Sequence, residues 1–282
     1  EYAYSGMHYD ENYGDGGHDR LIAGHSDATV KYFTYAGDLV RQEHHQFHTD
    51  NHRAGRERLV EIRDPAGTLL QKTETTWANW SGRFGDVLTD TLVTQVVATS
   101  YAGSKTVARK VTYAYDDYGN VTEQRDYNAA EQVYRTTMTT YHLNETAWLV
   151  NTPRETLVYR GEPGWWFIFP KSKTRYYYDQ ENSGDPDLHR APDKGLLTRE
   201  ERWLESESRY VATDYAYDDV GNLIRVVNPN GASKTIAYDQ TAYRLYPVRT
   251  CITADDHTIL CSETNYYGIN DAACPDEGAF FG

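Results

Sequence analysis

The chain has 282 residues, a formal net charge of −14, a hydrophobic fraction of 39%, and 25 Tyr against only 7 Phe. That acidity disfavours nucleic acid, whose binding needs Lys and Arg to displace phosphate counterions, and it disfavours docking on anionic membranes. No apolar run approaches the roughly 20 residues of a membrane helix, the longest candidate being the strand-sized Trp165-Trp166-Phe167-Ile168-Phe169.

A mean hydropathy of −0.76 with so much tyrosine suits wide sheets with solvent on at least one face. Tyrosine fits a pleated, half-buried surface and keeps a polar tip for water or a neighbour. The chain opens at Glu1 in mid-phrase, with neither an initiating Met nor a signal peptide, so a fragment or processed piece is expected. Asp10 to Gly16 hints at a calcium loop, but the twelfth position from Asp10 is Leu21 rather than an acid, and no metal is expected there.

Val30-Lys-Tyr32-Phe33-Thr-Tyr35 is the first clear strand run, rich in β-branched and aromatic residues. His44, His45, His48 and His52 follow. On a strand, four residues span about 13 Å, too far for one zinc ion, so solvated histidines are expected. Asp64-Pro65-Ala66-Gly67 reads as a turn, as do Gly161-Glu-Pro163-Gly164 and Asn228-Pro229-Asn230-Gly231: each supplies a Pro that pre-sets φ and a Gly that accepts φ > 0. Between these lie strand runs at Thr94–Thr99 and Thr136–Tyr141. No stretch keeps a 3.6-residue period with caps at both ends.

Trp165 and Trp166, between Pro163 and Pro170, form an exposed-aromatic candidate. They read as a carbohydrate platform or, preferably, as packing in a sheet joint. Residues 179–195, with Gly184, Pro186 and Pro192, are too long for a bare loop and read as a surface excursion or an insertion between repeats. No domain boundary is legible elsewhere, so residues 1–282 are expected to form a single segment.

One phrase occurs twice: Tyr113-Ala-Tyr115-Asp116-Asp117-Tyr118-Gly119-Asn120 and Tyr215-Ala-Tyr217-Asp218-Asp219-Val220-Gly221-Asn222. Tyr215 and Tyr217 are two apart and share a strand face. Asp218 is placed to accept hydrogen bonds from turn amides, while Gly221 and Asn222 tolerate the left-handed conformation. Leu223–Val227 then returns, Pro229-Asn-Gly231 turns again, and Ser233 leads to Tyr238-Asp239. An ordinary hairpin used twice is the plain alternative; the regular return of Tyr-Asp favours a repeat architecture.

Cys251 and Cys261 would face each other in a hairpin turning near Asp255-Asp256. They form either a cross-strand disulfide or two buried free thiols, the thiols being preferred, with Cys274 left over.

At Tyr115, Asp116, Gly119, Asn120, Tyr217, Asp218, Gly221, Asn222, Pro229, Gly231, Tyr238 and Asp239 the chain resembles the RHS/YD-repeat family, whose repeats read approximately Tyr-x-Tyr-Asp-x-x-Gly-[Arg/Asn]-[Leu/Val] and then Pro-x-Gly. A finer resemblance is to the B component of bacterial insecticidal toxin complexes. It rests on Tyr238-Asp239-Gln-Thr241-Ala-Tyr243-Arg-Leu-Tyr246-Pro247-Val248, on Tyr134-Arg135 with Tyr141-His142-x-Asn144, and on Trp148-Leu-Val-Asn151-Thr-Pro153. The first third matches less well, since Tyr9-Asp10 lacks the family's Arg-Gly-Phe-Gly continuation.

The resemblance implies an all-β fold of antiparallel hairpin repeats, part of a spiralling hollow shell that encloses a cytotoxic effector before it passes to a translocation channel. It implies as partners the remainder of the shell, the enclosed toxin polypeptide and the channel component, with a secreted or bacterial-surface location. The family's N-terminal β-propeller and its C-terminal core with self-cleaving aspartates have no counterpart in these residues, so neither a closed shell alone nor an autoprotease is expected.

Catalysis is not expected either. Asp116-Asp117, Glu200-Glu201 and Asp218-Asp219 are adjacent on strands or turns, and neighbouring strand residues point to opposite faces. No phosphate loop, Cys-x-x-Cys pair or Gly-x-Ser-x-Gly elbow occurs, and no cofactor is expected. The alternative reading is an extracellular carbohydrate- or protein-binding module on the tyrosine-rich face.

Overall fold

The strand runs read from the sequence are strands in the computed structural model, except that Thr34 and Tyr35 fall in the turn after their run. The described residues are 2–10, 21–50, 53–80, 82, 90–164, 169–180, 186–240, 243–253 and 258–266. Among them the only helical element is a single 3-10 turn at Glu205–Glu207, and the fold is all-β and antiparallel.

The chain divides into two units, Glu1–Thr139 with Val158–Lys171, and Thr140–Leu157 with Ser172–Gly282. The first contains β1 (Tyr2–Asp10), β2 (Leu21–Phe33), β3 (Leu39–Phe47), β4 (Glu57–Arg63), β5 (Leu69–Trp80), β6 (Asp90–Ala102), β7 (Lys105–Tyr115), β8 (Val121–Tyr127) and the start of β9 (Val133–Asn144). Each strand pairs antiparallel with the next, a meander. The second unit holds the rest of β9, most of β10 (Leu149–Arg160), then β11 (Ser172–Tyr178), β12 (Leu197–Leu204), β13 (Arg209–Tyr217), β14 (Leu223–Val227), β15 (Ser233–Tyr238), β16 (Pro247–Thr253) and β17 (Ile259–Glu263). From β11 onward it is again a meander.

Among the described residues few side chains are fully buried. In β8 every residue is half-buried except the buried Asp126, and no residue of β12 is fully buried. A sheet packed on one side would alternate buried and exposed positions. Among the described residues the buried apolar side chains are Ala28 and Val111 in the first unit and Tyr177, Tyr178 and Pro192 in the second.

Lateral, cross-strand contacts take the place of a deep core. Asp126 is fully buried in the middle of three strands, accepting from Arg135 Nε at 2.9 Å, Gln124 Nε2 at 3.2 Å and Arg109 at 3.3 Å. In the second unit Arg199 reaches Asp214 at 2.8 Å directly across β12 and β13. Cations lie over rings in both units: Arg41 over Tyr32, Lys110 over Tyr127, Lys173 over Trp203 and Arg175 over Tyr210.

The preference for free thiols is corrected. Cys251 and Cys261 are register partners in β16 and β17 and form a disulfide, on a hairpin where Cys261 is exposed and Cys251 only half-buried. Directly opposed strand positions put the two Cβ atoms within bonding reach, and neither cysteine is buried as an apolar-packed thiol would be. Cys274 lies outside the described residues.

Candidate functional site

Among the described residues six hairpin turns share one five-residue form, at 34–38, 64–68, 116–120, 128–132, 218–222 and 228–232. The N–H of the first residue donates to the carbonyl of the fifth, and the N–H of the fourth donates to the carbonyl of the first. The fourth residue takes positive φ, from 56° at Glu131 to 93° at Gly221. A type I turn closed by a left-handed residue gives this hairpin, with a bulge in the adjoining strand. The register shifts accordingly at Tyr32/Phe33, Ile62/Arg63, Ala114/Tyr115, Asp126/Tyr127 and Ala216/Tyr217, immediately before the turn, while the hairpin at 228–232 keeps its register.

The repeated Asp acts as a clamp on this turn. Asp116 Oδ1 accepts the N–H groups of Tyr118 and Asn120, both at 2.9 Å, and its Oδ2 accepts the Asn120 side-chain amide at 2.9 Å. Asp218 repeats the pattern with Val220 at 3.1 Å, Asn222 at 2.8 Å and the Asn222 amide at 3.1 Å. Positive φ falls on Gly119 and Gly221 and not on Asn120 or Asn222. The Asn side chains serve the clamp instead, a correction to their expected left-handed role. Asn222 also donates to the Arg244 carbonyl at 2.8 Å.

Two further Tyr-Asp pairs show that the clamp does not depend on loop length. Asp239, almost fully buried, donates its N–H to the Tyr246 carbonyl at 2.9 Å and accepts the Tyr246 N–H at 3.0 Å. Asp179 donates its N–H to the Leu196 carbonyl at 2.8 Å. Its carboxylate accepts four main-chain N–H groups, those of Asp193 and Lys194 at 2.8 Å and of Gly195 and Leu196 at 3.0 Å. The excursion expected at 179–195 is therefore an enlarged Tyr-Asp turn, opened by Tyr178-Asp179. Burial pushes the Asp179 carboxyl up, and the N–H groups of Lys194, Gly195, Leu196 and Asp193 outweigh it, holding the group below the ordinary carboxylate range.

The paired tyrosine ties the turn to the preceding strand. Tyr217 donates its hydroxyl to the Leu197 carbonyl at 2.9 Å, Tyr238 to Leu223 at 3.3 Å and Tyr115 to Val93 at 2.5 Å. Leu197 and Leu223 are the first residues of β12 and β14. Burial raises the Tyr115 and Tyr217 phenols above their usual range, so they stay neutral donors. Pro229 sits second in its turn, where its missing N–H is not needed, and Gly231 is the left-handed fourth residue.

The other expected sites resolve as follows. Trp165 and Trp166 lie outside the described residues, as do His52 and the stretch after Asp10. His44, His45 and His48 are half-buried beside carboxylates rather than solvated: His44 at 3.1 Å from Asp27, His45 at 2.6 Å from Glu57, His48 at 3.6 Å from Asp50. Asp27 and Glu57 are the register partners of Gln46 and Phe47, diagonal neighbours of His44 and His45 on the adjoining strands, which the linear spacing of histidines does not reveal. Among the described residues no group of His, Cys, Asp or Glu side chains has a metal-holding arrangement. Glu200 and Glu201 point to different partners, Arg202 at 2.5 Å and the Tyr177 hydroxyl at 2.8 Å.

A cleft of about 570 Å³ in the second unit lies between the Asp179 and Asp218 clamps. Its polar groups are largely committed. Asp179 and Asp218 hold main-chain N–H groups, and Gln180 both donates to and accepts from the Asp187 main chain at 2.8 Å.

No protein-family model and no curated protein matches the chain. Solved structures do. The chain superposes on the crystal structure of TcdB2-TccC3-Cdc42 with a TM-score of 0.56 at 8% identity, over 89% of this chain and 21% of that one. The structures of TcdB2-TccC3 and TcdB2-TccC3-TEV give TM-scores of 0.55 at 9% identity, over 89% and 90% of this chain and 22% and 20% of theirs. The chain thus spans about a fifth of the length of the chains it resembles. The likeness is one of fold: antiparallel β-strands arranged as in those toxin-complex chains.

Proposed function

We propose that the chain is a structural wall segment of an RHS/YD-repeat toxin protein, most like the B component of insecticidal toxin complexes, that encloses a cytotoxic effector for delivery. The observation that carries this reading is the Tyr-Asp clamp, reused at Asp116, Asp179, Asp218 and Asp239 to close hairpins of different loop length. A clamp that holds only its own turn and the strand before it is a device for extending a sheet, not for binding a substrate. The half-buried strands support the same reading, since such a sheet gains from further strands and a covered face.

The partners on this reading are the remainder of the shell, the enclosed polypeptide and a translocation channel, and the role is structural rather than enzymatic. A secreted or cell-surface location accords with the Cys251–Cys261 disulfide, because such bonds persist in oxidising compartments.

The test is protease protection. The full-length protein carrying its downstream polypeptide is treated with a broad-specificity protease, intact and after Gly119→Val with Gly221→Val. Protection of the downstream polypeptide in the intact protein, lost in the variant, is the expected result. Digestion at the rate of the free polypeptide in the intact protein would sink the reading.

A further inference from the structure

The hairpin of β16 and β17 differs from the others in how it is held. All five residues of β17 are exposed, with Ile259 at 62% and Leu260 at 70%. Burial therefore contributes little to keeping this strand in place. It is held by its register with β16, the Thr264 N–H donating to the Val248 carbonyl at 2.9 Å, the Tyr266 hydroxyl donating to the Pro247 carbonyl at 3.3 Å, the Tyr246–Tyr266 ring contact, the exposed Arg249–Glu263 ion pair, and the disulfide between Cys251 and Cys261.

The disulfide has a charged neighbour. The Arg249 guanidinium lies 3.7 Å from Cys261 Sγ, with its Nε 3.6 Å from Glu263. A cation beside a sulfur stabilises the thiolate, and a stabilised thiolate is the better leaving group in thiol–disulfide exchange. Structural disulfides are normally shielded by packing; this one joins an exposed cysteine to a half-buried one with a guanidinium against the exposed sulfur.

We propose that Cys251–Cys261 is a reducible latch on the β16–β17 hairpin, opened by a dithiol reductant, with Arg249 assisting departure of Cys261. The reductant's thiolate attacks Cys251 Sγ and forms a mixed disulfide. The Cys251–Cys261 bond breaks, and its electron pair leaves on Cys261 as a thiolate beside Arg249. The reductant's second thiol loses its proton to solvent and attacks its own sulfur in the mixed disulfide, expelling Cys251 as a thiolate that takes up a proton. Two electrons pass from the reductant, which ends as a disulfide, to the protein, which ends as a dithiol. With the cross-link gone, exposed β17 has no buried surface to hold it and separates from β16, while the strands from β12 to β14 keep their clamps. The proposal rests on this hairpin alone and stands or falls independently of the shell reading.

The experiment uses the oxidised chain with dithiothreitol as the dithiol. Reduction is followed by thiol labelling at Cys251 and Cys261, and amide hydrogen exchange is read by mass spectrometry over 247–263 and over 197–227. The expected result is faster exchange in β16 and β17 on reduction with 197–227 unchanged, and reduction of Arg249→Gln about threefold slower than the parent, because the departing thiolate loses its cation. Unchanged exchange in β17 after complete labelling would overturn the latch. Equal reduction rates for the parent and Arg249→Gln would overturn the role of the arginine. Cys251→Ser with Cys261→Ser, already unlinked, should show the reduced protein's exchange pattern; an oxidised-like pattern would also refute the latch.

Discussion

The hydroxyl of Tyr217, last residue of β13, donates to the carbonyl of Leu197, first residue of β12, at 2.9 Å. One side chain thereby ties the end of one strand to the beginning of its predecessor, at the point where the register shifts by a bulge. Tyr217→Phe keeps the ring and deletes the donor, leaving the Leu197 carbonyl half-buried without this bond. A loss of about 1 kcal/mol is expected, read as a lower urea midpoint with an unchanged m-value. A variant as stable as the parent would show the hydroxyl to be idle.

Gly119 and Gly221 sit at φ of 82° and 93°. A Cβ added there meets nothing nearer than 3.8 Å at Gly119 and 4.0 Å at Gly221, so the cost of substitution is conformational rather than steric. Valine, β-branched, should cost about 2–3 kcal/mol at either site, whereas Asn, which tolerates the left-handed region, should cost about 1 kcal/mol. Equal destabilisation by Val and Asn, measured in urea melts, would point to packing and away from φ.

Much of this turn chemistry was legible in the linear sequence, and its gaps have physical causes. Tyr115-Asp116 and Tyr217-Asp218 were readable because clamp and glycine lie three residues apart, a local signal. Tyr178-Asp179 was hidden because its closing partner Leu196 is 17 residues away, so only folding brings donor and acceptor together. The turn at 128–132 puts Glu131, not Gly, in the left-handed position at φ 56° and so lacks the usual mark. The cysteine pair was legible as a facing pair, but its bonding depended on exposure, which spacing does not encode. Histidine spacing likewise said nothing of Asp27 and Glu57, which the register brings diagonally beside His44 and His45.

Asp126 shows how a thin sheet carries a buried charge. Its side chain is fully covered, yet Arg135, Gln124 and Arg109 surround it. Burial pushes its carboxyl up, and hydrogen bonds from Arg135, Gln124 and Arg109 outweigh that and hold it low. Arg135→Met removes the shortest of these contacts and leaves a buried carboxylate with one cation. A loss of about 2–3 kcal/mol is expected at neutral pH. Adding Asp126→Leu to Arg135→Met should recover much of it, since the uncompensated charge is then gone. A double variant less stable than Arg135→Met alone would contradict this account.

Acid should act through Asp179. Its folded-state pKa is depressed because four main-chain N–H groups favour the charged form over the opposition of burial. For a depressed carboxylate the linked stability is fully present above the unfolded value of about 3.9 and is lost as pH falls through the lower folded value. Asp179→Asn cannot titrate, and its amide N–H₂ faces donors where an acceptor is needed. The variant should therefore melt below the parent at neutral pH. The gap should hold constant from about pH 7 to 5 and narrow below about pH 4 as the parent's own carboxylate protonates. Thermal melts of both chains in matched buffers provide the measurement. A gap that stays constant or widens down to about pH 3 would mean that the carboxylate's charge is not what closes the 179–196 turn.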